Sequence, residues 1–456
     1  MSAYNERRRW LLKGACAIPF ASSTWGAYQS KPTSVSRPID VSRYTHALVP
    51  RGHGEIIALG KRYSARYPSR YQSMQFMAFF GDRDGLYVQS HDTTGYITDW
   101  DITADRSLTI RFYGPETDVT TAKIGTDWQA AADLYKKWAL KQQWARRKQP
   151  TSAPSMSIIC MAASRNLAHM RKHVPEFVQY FEGPRASWIT QWRSHPFDVM
   201  YPDYSPSDKT QFRRLLAELH AINTSPLPYV NGLLVDDRIE TFNSLTPYLL
   251  VNSSGKNEIY SNRLSHLKYM CPTAAGWQAM LSNIRRGLLD ENNTMSRGVY
   301  LDLLAAAPPS ICYATNHDHL AADPLVWSAS IRAILKDTPG LVMVEGNAEV
   351  YIDCVDIFLM HYGTEKPDST IVPLWNSVYG DVTTFAGWRI APESPAAIQR
   401  SINRAISYGT GFFGSPWMEA DTEIVLLNEP NRKTLRHLVA NTRPAPPQHL
   451  TTRTKT

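Results

Sequence analysis

The stretch GVYLDLLAAAPPSICYATNHDH, residues 298–319, begins as an apolar strand and runs into an acid, Asp302; a long irregular segment follows. An ionised carboxylate is costly inside an apolar layer. At the last position of a strand it sits instead at a rim, where the packed interior stops and solvent or ligand begins. Helical patterns flank this strand, TAAGWQAMLSNIRRGLLDE before it and LVWSASIRAILKD after it. A strand set between helices is the repeating unit of an α/β fold.

The same unit recurs on both sides. SIICMAA, ASWITQW and LPYVNGLLV precede the stretch, and LVMVEG, VDIFLMHYG, TIVPLWNSVYG and TGFFGSPW follow it. SDKTQFRRLLAELHAI and PAAIQRSINRAISYG supply further helices. About eight strands within roughly 260 residues match an α/β (β/α)8 TIM barrel, expected over residues 151–420. A doubly wound sheet is the alternative, but MAASRNLAH after the first strand lacks the glycines of its usual first turn.

Upstream, residues 54–150 read as a small, truncated antiparallel β-sandwich region. SMQFMAFFG and GLYVQSHD flank the hairpin turn GDRDG, SLTIRFYG adds a strand, and the amphipathic helix WQAAADLYKKWALKQQWARR leads out. KQPTSAPS marks the boundary with the barrel. Residues 28–53 are expected to be a linker, and residues 421–456 a short, partly disordered extension.

Apolar residues make up 43% of the 456, enough for a large core, which excludes a disordered or fibrous chain. The 13 Trp, 23 Tyr and 14 Phe exceed what a core needs and suit a wet pocket that holds a polyhydroxylated ligand by ring faces and polar tips. The net charge of +8 gathers near the two ends, with no basic stripe in the middle, so no nucleic-acid partner is expected.

Residues 1–27 contain NERRRWLLKGACAIPFASSTWGA, in which Arg7, Arg8 and Arg9 precede a moderately apolar run. This looks like a twin-arginine export signal, which places the protein in the periplasm or outside the cell. The run is too short and too interrupted to span a bilayer, and no membrane span is expected elsewhere. Cys160 and Cys354 read as core residues. Cys271 and Cys312 fall in loops, where an exported chain can pair them, and sequence leaves that choice open.

In a barrel the working residues come from the C-terminal ends of the strands. Here those positions hold Trp192, His195 and Asp198, then Asn231 and Asp236, Asp302, Glu345, and His361 with Tyr362. Asp302 and Glu345, on successive strands, can face each other across a cleft. Glycoside hydrolysis uses such a pair, one acid as nucleophile and one as proton donor. Strand order makes Asp302 the nucleophile and Glu345 the general acid/base. The other strand-end residues, with Glu349, His317, His319 and Trp375, are expected to bind sugar hydroxyls or ring faces. His317 and His319 have no third ligand in view, so neither metal nor cofactor is expected.

The motifs YPSRYQSMQFMAFFGDRDGLYVQSHD, WITQWRSHPFDVMYPDYSP, PYVNG, MCPTAAGWQ, GVYLDLL with CYATNHDH, and VEGNAEVYIDCVD occur in this order. Together they resemble a family of bacterial glycoside-hydrolase-like barrel proteins, distantly similar to α-galactosidases and endo-α-N-acetylgalactosaminidases. The likeness covers roughly residues 67–417. It implies a β-sandwich ahead of the barrel and a retaining mechanism, with the family's strand-end Asp at Asp302 and its following Glu at Glu345. Relatives of this kind carry a longer sandwich. The expectation is therefore an exported glycoside hydrolase that cleaves an α-linkage. The rivals are a glycan-binding barrel without catalysis and a metal-assisted hydrolase built on His317 and His319.

Overall fold

The computed structural model describes residues 35–115, 117–146, 158–289, 296–360, 369–390, 394–414, 417–420, 423–426, 429–430, 433–435 and 437. The export signal expected at residues 1–27 lies outside them.

Nine strands come first: β1 (Val35–Asp40), β2 (His46–Val49), β3 (Glu55–Ala58), β4 (Tyr63–Tyr67), β5 (Phe76–Phe80), β6 (Gly85–Ser90), β7 (Thr98–Ile102), β8 (Ser107–Phe112) and β9 (Val119–Ile124). The stretch expected as a linker thus holds β1 and β2 in its described part. Its apolar residues, such as Leu48 and Val49, find a buried face there, which composition alone does not reveal. All pairings in this region are antiparallel. β5 is buried at every position because it serves two layers. One of its faces meets the helix Trp128–Ala139, where Phe76 stacks on Tyr135 at 4.4 Å. That helix starts at Asp127, whose side chain accepts from the Gln129 amide, and buries Ala131, Ala132, Tyr135 and Ala139 at helical spacing.

The second part contains β10 (Ile158–Ala162), β11 (Arg185–Ile189), β12 (Thr224–Asn231), β13 (Leu234–Asp236), β14 (Leu267–Tyr269), β15 (Gly298–Asp302), β16 (Leu341–Glu345), β17 (Ile357–Leu359), β18 (Ser369–Ile371), β19 (Thr384–Ile390) and β20 (Gly411–Gly414). Eight of these close a parallel barrel in the order β10-β11-β12-β15-β16-β17-β19-β20. Their near-continuous apolar runs reflect burial on both faces, inward against each other and outward against the helices. The N-terminal layer consists of two antiparallel sheets, β1-β8-β7-β4 and β18-β3-β2-β5-β6-β9, so the barrel half contributes one strand, β18, to it, and β13-β14 form a small antiparallel pair of their own. Beyond the barrel, Trp417–Ala420 and Glu423–Leu426 form an antiparallel pair within the end of the chain.

One barrel strand differs from expectation. TIVPLWNSVYG, read as a strand, becomes β18 followed by the helix Leu374–Tyr379, which buries Leu374, Trp375, Val378 and Tyr379. The seventh barrel strand is β19, which the pattern did not single out. A short apolar run carries no period long enough to separate helix from strand.

Candidate active site

Register places the acids together. β12 pairs with β15 so that Tyr229 lies opposite Tyr300 and Asn231 opposite Asp302. β15 pairs with β16 so that Leu301 lies opposite Val344, and the next residues in line are Asp302 and Glu345. Two carboxyls therefore leave adjacent strands at the same level of the barrel mouth.

Asp302 is buried, and Tyr229 Oη donates to its Oδ2 at 2.8 Å. Asn231 Nδ2 donates to the same oxygen at 3.3 Å, while Asn231 Oδ1 accepts from the amides of Leu233 and Leu234. That second set fixes the amide's orientation. Burial pushes the Asp302 carboxyl well above the usual range, and contact with the Glu345 carboxyl pushes it further; the Tyr229 hydroxyl pulls the other way.

Glu345 is held from the antiparallel layer. Arg70 Nη1 donates to Glu345 Oε1 at 2.9 Å, and Arg70 Nη2 donates to the Tyr71 hydroxyl at 3.0 Å. The chain turns sharply just after Glu345. Gly346 has φ +72, and a Cβ there would lie 2.9 Å from Ala306 Cα and 3.0 Å from Arg70 Cβ, so only glycine fits. Asp198, at φ 56, adds a third carboxylate whose charge Asp302 feels. Burial raises its pKa against the Tyr201 hydroxyl, which donates to Asp198 Oδ1 at 3.2 Å. Exposed Phe197 leans on the Tyr229 ring at 5.0 Å. Tyr260 and Tyr269 also feel the charge of Asp302. The result is a barrel mouth where the Asp302 and Glu345 carboxyls meet among tyrosines, with burial favouring the protonated form of Asp302.

The remaining expected residues divide. Asn231 lies at the barrel mouth, but as a buried support for Asp302. His195 pairs with Asp203 at 3.0 Å in the loop after β11. Trp192 is fully buried, stacked on Phe212 at 4.6 Å with its indole N–H on the Tyr229 carbonyl, so it is core and not a sugar platform. Trp375 is core too, packed on Phe358, Tyr379 and Phe385. Asp236 is fully buried and spent on Arg238 and the Met200 amide. Glu349 lies between barrel and antiparallel layer, where it accepts from the Tyr135 and Tyr379 hydroxyls. Burial lifts its pKa to about 7. These residues are buried because their neighbours are, a fact that strand-end position cannot supply. His361 and Tyr362 lie outside the described residues.

His317 and His319 are not alone. Cys271 and Cys312, both free and buried, come to them from two loops, and one ligand atom from each of the four lies within 4.8 Å of the others. Cys312, five positions before His317, was near enough to be a third ligand, but Cys271 is distant in the chain and only the fold brings it in; the two cysteines do not form a disulfide.

Sequence reading also passed over Tyr229, Tyr300 and Arg70. The first two were accessible: each stands two positions before a strand-end polar residue and so shares its face of the strand. Arg70 lies 275 positions from Glu345, and nothing local marks it.

The model of a family described as "Domain of unknown function (DUF6259)" matches residues 113–390, well over half the chain. A Bacteroides thetaiotaomicron protein named "Putative glycoside hydrolase" is 28% identical over 225 residues, covering 47% of this chain and 33% of that one. A Monosiga brevicollis protein named "Putative glycoside hydrolase 22789" is 25% identical over 428 residues, covering 76% and 34%. The chain thus spans about a third of the length of either relative. Among solved structures, the α-N-acetylgalactosaminidase NagBb of Bifidobacterium bifidum superposes with TM-score 0.67 at 12% identity, over 88% of this chain and 73% of that one. The α-galactosidase TtGalA of Thermus thermophilus gives TM-score 0.62 at 12% identity, over 91% and 89%. At such identities the likeness is one of fold. By the extent of its match, this chain belongs to the DUF6259 family.

Proposed function

We propose that this protein is a glycoside hydrolase that cleaves an α-linked sugar with Asp302 and Glu345 as its catalytic carboxyls. The observation that carries this reading is the contact between two carboxyls from adjacent strands at the barrel mouth, one buried and raised, the other tied to Arg70. The names of the relatives and the fold of the glycosidases above agree with it.

Asp302, fixed by Tyr229 and Asn231, is the nucleophile of a retaining mechanism. Glu345, at the more open edge, is the acid. Burial favours the protonated form of Asp302 while Glu345 pairs with Arg70, the reverse of what the reaction needs. A sugar seated between them parts the carboxyls, and the proton passes to Glu345 as it leaves Arg70. Asp302 then bonds to the anomeric carbon while the leaving oxygen takes its proton from Glu345. Water attacks in the second step, gives its proton to Glu345 and frees Asp302. Phe197 and Tyr260 offer ring faces to the sugar. The basic and apolar residues of 1–27 support export, testable with that segment fused to a reporter whose secretion depends on the arginines.

The test is a panel of aryl α-N-acetylgalactosaminides and α-galactosides, with proton NMR of the first-formed anomer. Retention of configuration supports the reading, as does azide rescue of Glu345→Gln on an activated substrate. The Arg70–Glu345 pair favours a second reading, a glycan-binding barrel without catalysis. Sugar affinity with no turnover on any panel member would establish that reading instead.

A further inference from the structure

Cys271 stands just after β14, in the insertion between β13 and the helix Ala275–Leu289; Cys312, His317 and His319 stand in the long segment after Asp302. Their contacts have the dimensions of a coordination shell. Cys271 Sγ lies 3.5 Å from His319 Nε2, and Cys312 Sγ lies 3.5 Å from His317 Nδ1. A tetrahedron with zinc–sulfur bonds of about 2.3 Å and zinc–nitrogen bonds of about 2.05 Å has sulfur–nitrogen edges of about 3.5 Å.

The outer contacts fix which ring nitrogens face inward. His317 Nε2 lies 2.8 Å from the Pro247 carbonyl, and His319 Nδ1 lies 2.8 Å from the Leu320 carbonyl. A carbonyl only accepts, so each of those nitrogens carries the hydrogen. The lone pairs are left on His317 Nδ1 and His319 Nε2, the two atoms that face sulfur. A second ring nitrogen anchored on a backbone carbonyl is the usual support of a metal-bound histidine. Both cysteines are buried and unpaired by a disulfide, 1% and 4% exposed, and so sheltered from other thiol chemistry.

We propose that Cys271, Cys312, His317 and His319 form a structural zinc site. Binding releases two thiol protons to solvent, and two thiolates with two neutral imidazoles leave Zn2+ a neutral site. Four protein ligands close the shell, so no position remains for a water to attack substrate, and the ion is a fastener. It ties the segment that follows Asp302 to the insertion that follows β12. The same two segments also meet where the Tyr313 amide donates to the Val251 carbonyl at 2.8 Å. The site is independent of the hydrolase reading.

The full chain, purified without chelator from zinc-supplemented cells, is expected to carry about one zinc per molecule by mass-spectrometric metal analysis. Cobalt exchanged into the wild-type protein should give the intense visible bands of a tetrahedral site together with sulfur-to-cobalt charge transfer. Cys312→Ser should lose that charge-transfer intensity. Because a buried cysteine substitution can itself unfold the segment, the wild-type cobalt spectrum is the deciding measurement. Stripping zinc should expose residues 303–325 to protease, and zinc added back should reverse it. Metal-free protein with Cys271 and Cys312 oxidised to a disulfide, or the weak spectrum of octahedral cobalt, would overturn the proposal.

Discussion

Arg70 of the antiparallel layer and Glu345 of the barrel meet at 2.9 Å, across 275 positions of sequence. The N-terminal layer thereby reaches into the candidate active site. Arg70 fixes where Glu345 sits, and losing that position outweighs the easier protonation of Glu345, so Arg70→Ala is expected to lower kcat on aryl α-glycosides by at least about tenfold, and Arg70→Lys by less, because lysine keeps the charge and loses the fork. Steady-state kinetics alongside circular dichroism check this; unchanged kcat in Arg70→Ala would make the contact a domain tie only.

Asp302→Asn and Glu345→Gln should each cut turnover by a factor on the order of a thousand or more while the fold is kept. Asn and Gln preserve shape while removing the nucleophilic carboxylate at 302 and the transferable proton at 345. Single-turnover assays and thermal melts separate the two effects, and wild-type rates in both variants would remove the assignment.

Tyr229 donates to Asp302 Oδ2 at 2.8 Å, and this bond lowers the Asp302 pKa against the burial that raises it. Tyr229→Phe should therefore raise that pKa further and move the acid limb of the pH–rate profile to higher pH. A fall in kcat of about tenfold, or about 1.4 kcal/mol, is expected. A profile that does not move would show that Asp302 need not ionise.

Glu349 titrates in the folded protein at about 7, against an ordinary value of 4.5, because it is buried. A raised carboxyl stabilises the fold fully below its unfolded pKa, and that contribution is lost as pH rises through the folded one. The wild-type melting temperature should therefore fall between about pH 4.5 and 7, by the equivalent of about 3 kcal/mol at most. Glu349→Gln should flatten that part of the curve, read from melts across the range.

Trp192 packs flat on Phe212 inside the core. Trp192→Ala should cost roughly 3–5 kcal/mol in denaturant unfolding, and Trp192→Phe should leave KM for any sugar unchanged. A large rise in KM without loss of stability would return Trp192 to the binding surface.

The alternation of apolar strands with amphipathic helices was written locally, residue by residue, and local pattern was enough for the barrel and for its acid-tipped strands. GVYLD and LVMVE each announce a buried run that ends on a carboxylate at the rim of the barrel. Strand register and long-range packing are properties of the folded whole. They decided that Asp302 and Glu345 touch, that Arg70 joins them, that Trp192, Trp375, Asp236 and Glu349 are interior, and that Cys271 meets His319. Burial depends on which surfaces face each other, and a side chain's chemistry follows from its burial and its partners; both come from residues far away in the chain.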